Sequence, residues 1–189
     1  MQTENFHVEL EFTPNPNTLK YSTSVPLLLA GASNFLSKAE AETRSPLAKR
    51  LFDLTGVSAV MVGKTFVTVT LSNQEDLAEL NDRIIDTIKG FLKSGEKAVL
   101  MDEVVESNKP DRTYTEIESK IIEILDKDIR PAVAMDGGDI TFEKFEDGIV
   151  FLQMKGSCAG CPSSTATLKM GIENRLKEAI PEVTEVVSI

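Results

Sequence analysis

Cysteine is scarce: the 189-residue chain holds two, Cys158 and Cys161. Two closely spaced thiols cannot build the multi-bridge framework of a small secreted domain, so a reducing compartment fits the composition. Histidine is scarcer, with His7 alone, and tryptophan is absent. Long apolar runs are missing. "VPLLLAGA" at residues 25–32 falls far short of the roughly 20 residues that cross a bilayer, so it reads as core and no membrane partner is expected. The opening "MQTENFHVELEF" has neither a basic segment with an apolar core nor an arginine-rich character, so no leader is evident. A cytoplasmic protein is the expectation; a processed organellar form would look the same. Positive charge is in deficit, with 20 Lys and Arg against 30 Asp and Glu, a net charge of −10. Such a surface repels phosphate backbones, which argues against nucleic acid as a partner. A G-K-[ST] phosphate loop and a G-x-S-x-G elbow are both absent. Little beyond Lys and carboxylates is available for acid–base work, so the chain is not expected to be an enzyme.

What is present suffices for packed cores: 41% apolar and 26% charged residues, in a length that suits one medium or two small domains. Phe6, Val8, Leu10 and Phe12 alternate with polar residues, the period of a half-buried strand. "TPNPNT" ends it, and "LKYSTSV" reads as a second strand. "SKAEAETRSP" reads as a loop or a frayed helix. Ser45 and Pro46 look like an N-cap and first helical residue, with Gly56 as the stop. Two β-rich stretches follow, 57–62 and 65–71, joined by a tight turn at Gly63–Lys64. Leu77, Leu80, Ile84, Ile85, Ile88 and Phe91 then recur at helical spacing. This unit, residues 1–93, reads β-β-α-β-β-α.

Residues 94–112 change character and read as a linker. The second unit, 113–189, opens with a capping-box pattern at Thr115–Glu118 before the stripe Ile117, Ile121, Ile124, Leu125 and Ile129. Pro131 reads as the helix stop. "MDGGD" at 135–139 is a turn, Asp147–Gly148 a hairpin, and 149–154 its return strand. Leu168, Ile172, Leu176 and Ile180 mark another helix, and "EVTEVVSI" a last strand lying parallel to 149–154. The order α-β-β-α-β with a mixed sheet makes the whole chain α+β, in two small domains.

Both cysteines stand in "KGSCAGCPSSTATL", residues 155–168, between a strand and a helix that Pro162 suits as a first residue. A helix N-terminus favours thiolates, so lowered thiol pKa values are expected. Gly156 and Gly160 would let backbone amides turn toward the sulfurs. Three readings compete: buried cysteines with no role, a dithiol redox centre, and a metal site. The redox reading lacks a tryptophan and a full βαβ framework in so short a domain. The metal reading, zinc or iron–sulfur, wants four ligands, and His7 lies on the polar side of a strand in the other unit. Two copies of the chain would supply four thiolates at an exposed interface. Asp136 and Asp139 suggest an acidic metal site or, better, a turn whose aspartates bond nearby amides. Ser157, Ser163 and Ser164 read as helix caps rather than donors to cluster sulfur.

The stretch from Arg130 to Val183, with DGGD at 136–139, FEDG at 145–148 and G-S-C-x-x-C-P-S-S at 156–164, resembles the C-terminal domain of NifU, the Nfu-type iron–sulfur scaffold and carrier. "FTPNPNTLKY" through "GVSAVMVGKTFVTVT" is similar to the N-terminal domain of many Nfu proteins. The resemblance implies that Cys158 and Cys161 ligate a cluster, usually [4Fe–4S] and otherwise [2Fe–2S], shared between two chains. It implies a homodimer when loaded, upstream assembly factors as donors, and apo iron–sulfur proteins as recipients. The cysteine-rich extra domains of full-length NifU are not seen. By elimination, the cysteine-free first unit is assigned to partner recognition or regulation. A dithiol oxidoreductase with Cys158 as nucleophile and Cys161 as resolving thiol remains the alternative, and a structural zinc dimer a third.

Overall fold

The computed structural model describes residues 6–73, 77–100, 113–159 and 162–189, excepting the side chains of 162–165. The chain divides into two compact units, residues 1–104 and 105–189. Both combine helices with sheets, so the α+β class holds.

In the first unit β1 (Val8–Phe12), β2 (Thr18–Thr23), β3 (Ala32–Phe35), β4 (Val57–Gly63) and β5 (Phe66–Leu71) form one antiparallel sheet in the order β1-β2-β5-β4-β3. Two elements exceed the expected pattern: β3, and α1 (Lys38–Arg44) within "SKAEAETRSP". β3 has only four residues and two of them are polar, so its pairing with β4 makes it a strand. α1 forms because Ser37 caps it, accepting from the Glu40 amide. α2 (Pro46–Phe52) starts as expected, with Ser45 accepting from the Ala48 amide and Pro46 in the first turn. Leu80, Ile84, Ile88 and Phe91 of α3 (Leu77–Ser94) are buried, each side chain contributing about 1.5–3 kcal/mol. Ala98 and Val99, beyond that helix, still join this core.

The second unit begins with α4 (Glu116–Ile124), whose capping box is complete: Thr115 accepts from the Glu118 amide and Glu118 from the Thr115 amide. Pro131 does not stop this helix. A π-helical turn at Leu125–Ile129 carries the chain into α5 (Arg130–Met135). The Arg130 amide reaches back to the Leu125 carbonyl, five residues away. This wider turn relieves the clash a proline ring makes in a regular α-helix. β6 (Gly138–Glu146) pairs antiparallel with β7 (Ile149–Gly156) around the Asp147–Gly148 turn, where both φ angles are positive at 51° and 82°. After α6 (Pro162–Ala179), β8 (Glu185–Ser188) returns parallel to β7, as expected. The sheet order is β6-β7-β8. Ile121, Leu125, Ile140, Phe142, Leu152, Ile172 and Leu176 lie at the centre of a core that also includes Cys158.

Candidate functional site

The cysteine loop follows the last residue of β7, Gly156, whose φ of 63° turns the chain out of the sheet. Gly138, at the start of β6, pairs with Gly156 in register. The turn before β6 and the loop after β7 therefore lie side by side. Ser157 joins them: its hydroxyl donates to the Asp136 carbonyl at 2.5 Å and its amide to the Gly137 carbonyl at 3.2 Å. The Ala159 amide closes a turn onto the Gly156 carbonyl at 3.1 Å.

Cys158 points inward and is only 7% exposed. Its Sγ lodges against Gly138, where a Cβ would come within 2.3 Å of the sulfur and 3.2 Å of the Lys155 carbonyl. Only glycine leaves that space. The Ser157 hydroxyl stands 4.0 Å from the sulfur. Burial pushes the Cys158 thiol up to about 11; the Ser157 contact opposes this, and the carboxylates of Asp136 and Asp139 add to it. The lowered pKa and exposed position expected beside a helix N-terminus do not hold for Cys158, because its side chain joins the core. Cys161 and Gly160 lie outside the described residues. α6 does begin at Pro162, so the motif directly precedes a helix as read. The side chains of Ser163 and Ser164 also lie outside the described residues.

Asp136 and Asp139 take different places. The Asp136 amide donates to the Val133 carbonyl and its own carbonyl takes the Ser157 hydroxyl. Asp139 does not bond turn amides as expected. Its carboxylate receives both Nε and Nη2 of Arg130, at 2.9 and 3.1 Å, and Arg130 Nη1 also reaches Asp126. This two-pronged pair ties α5 to β6 beside the cysteine loop. Among the described residues no group of three or more His, Cys, Asp or Glu could hold a metal ion. His7 is exposed in the first unit, 3.9 Å from Glu9. Ser157 forms a latch to the Asp136–Gly137 turn rather than a helix cap. The tight fit at Gly138 and the role of Arg130 are additions that motif reading missed. DGGD signals a turn, but nothing in four letters says which glycine meets a sulfur. No helix among the described residues is long and apolar enough to cross a membrane.

Comparison with known proteins adds two family matches. Residues 121–187 match the NifU-like domain, and residues 8–95 the N-terminal domain of the scaffold protein Nfu/NifU. The human "NFU1 iron-sulfur cluster scaffold homolog, mitochondrial" is 43% identical over 177 residues, covering 93% of this chain and 69% of that protein. The Arabidopsis thaliana "NifU-like protein 5, mitochondrial" is 38% identical, covering 96% of this chain and 67% of that protein. A Drosophila ananassae protein named like the human one is 38% identical, with 64% of its length covered. The chain thus spans about two thirds of the length of these relatives. A solution structure of a NifU-like protein from Saccharomyces cerevisiae is 23% identical with a TM-score of 0.47, covering 53% of this chain and 90% of that one.

Proposed function

The chain belongs to the Nfu/NifU family, and from that premise we propose that it is an iron–sulfur scaffold that carries a cluster between two copies of itself and delivers it to apo-proteins. Cys158 and Cys161 are the proposed ligands, two thiolates from each chain. The cluster, [4Fe–4S] or else [2Fe–2S], is cargo rather than a resident group. The observation that carries the reading is the Cys-x-x-Cys loop, holding every cysteine of the chain, inside the match to the NifU-like domain. Four thiolates satisfy a cluster, and one chain supplies half of them. Hand-over is ligand exchange. A recipient thiol gives up its proton as its sulfur binds iron, and a carrier thiolate leaves iron and takes a proton. No electron moves and no covalent turnover of a substrate is required, so the chain acts as a carrier and not an enzyme.

The dithiol oxidoreductase alternative gains no support. The relatives compared above are named as iron–sulfur cluster scaffold homologs or a NifU-like protein. The names of the relatives carry a mitochondrial address, which sets the processed organellar form beside the cytoplasmic one. Donor factors upstream, the homodimer, a division into residues 1–93, 94–112 and 113–189 in which Ala98 and Val99 of the linker pack on the first core, and a recognition role for the first unit complete the proposal.

Anaerobic reconstitution tests it. Iron and acid-labile sulfide are measured per chain, with mass from light scattering. About two of each per chain in a dimer means one bridging [4Fe–4S] cluster, and about one of each means [2Fe–2S]. A monomer without iron that forms a reversible Cys158–Cys161 disulfide overturns the reading.

A further inference from the structure

A ligand to a shared cluster must face a second molecule, yet Cys158 faces the core of its own domain. Its sulfur fills the space above Gly138, where even a methyl group would collide at 2.3 Å. With Sγ lodged there, its side toward β6 is closed to iron. The loop that carries it is fastened at its first residue, with the Ser157 hydroxyl on Asp136 and the Ser157 amide on Gly137. The strand that follows the fastening point is itself tied down. Asp139, next to Gly138 on β6, is gripped by both prongs of Arg130.

We propose that Ser157 is a positioning residue that latches Cys158 in a glycine-lined sheath, and that cargo is loaded only when this latch opens and the sulfur swings out of the sheath. The inference rests on the carrier reading and adds to it a gate at one of the two ligands. Loading breaks the Ser157 to Asp136 hydrogen bond and withdraws the sulfur from Gly138. Unloading reverses both. When a recipient sulfur takes its place on iron, Cys158 picks up a proton and returns to cover as a thiol. Reburial of that side chain offsets part of the lost iron–sulfur bond, so the sheath favours release. It also keeps one thiol of the pair away from oxidants between deliveries.

The test uses the full chain carrying Cys161→Ser, in which Cys158 is the sole thiol. Its reaction with Ellman's reagent is timed on the native protein and in guanidinium. The sheath requires native labelling at least about 100-fold slower than unfolded labelling, the signature of reaction through local opening. Adding Ser157→Ala should raise the native rate roughly ten-fold, the effect of one lost hydrogen bond. Ser157→Thr, which keeps the hydroxyl, should restore it. A native rate equal to the unfolded rate overturns the sheath. An unchanged rate in Ser157→Ala overturns the latch. So does a rise no greater than the global stability loss found by urea titration of the same variant. None of these readings needs a cluster. A chain that takes up no iron yet protects Cys158 would sink the carrier reading and leave the sheath standing.

Discussion

Cys158 and Cys161 are separated by two residues, and Cys161 lies outside the described residues. Cys158 fills a place in the domain core. In the proposed ligand role they are equivalent: Cys158→Ser and Cys161→Ser should each bring iron retained after reconstitution down to background. An oxidoreductase would behave asymmetrically, with Cys161→Ser trapping mixed disulfides through Cys158, which non-reducing gels would reveal. Asp139 carries a different kind of load. Its side chain is 10% exposed and that of Arg130 is 20% exposed, so the pair is largely withdrawn from water. Removing Asp139 takes two charged hydrogen bonds from Arg130 and leaves it Asp126. Asp139→Ala should therefore cost about 2 kcal/mol, read as a lowered urea midpoint, and should loosen the turn that holds Ser157.

Elements differ in how openly their residues announce them. The capping box at Thr115–Glu118, the Ser45–Pro46 helix start and the Asp147–Gly148 hairpin are local chemistry, and each forms where it was expected. β3 and the passage through Pro131 are not local. The first exists because β4 offers it an edge, the second because a π-helical turn absorbs the ring. Ser45 shows how one side chain can serve two elements. It is fully buried, caps α2 by accepting from the Ala48 amide, and donates to the Ala98 carbonyl beyond α3. Ser45→Ala removes the cap and leaves a buried carbonyl without that donor. A loss of about 2 kcal/mol in chemical denaturation is expected, against a few tenths for an exposed serine.

At the scale of the whole molecule the chain is two cores in series. Each unit has its own sheet, its own helices and its own cluster of buried residues. The second unit contains every cysteine and the complete match to the NifU-like domain. Residues 113–189 expressed alone should fold cooperatively and retain iron and sulfide at the full-length ratio per chain. Loss of delivery to some recipients, with retention intact, would assign recognition to the first unit. Unchanged transfer to every recipient would remove that assignment.

The α+β class, the two-unit plan, most element boundaries, the family and the position of the Cys-x-x-Cys motif before a helix were all determined by the sequence alone. These properties follow from hydrophobic period, turn chemistry and motif spacing, which are local along the chain. The state of Cys158 was decided only in three dimensions. Whether a thiol before a helix becomes an exposed thiolate or a buried thiol depends on what stands across from it. Here that is Gly138, twenty residues upstream, brought opposite by the β6–β7 register and held there by Arg130 and Ser157. Burial against a neighbour distant in sequence disfavours the thiolate of Cys158, because desolvation penalises the charged form.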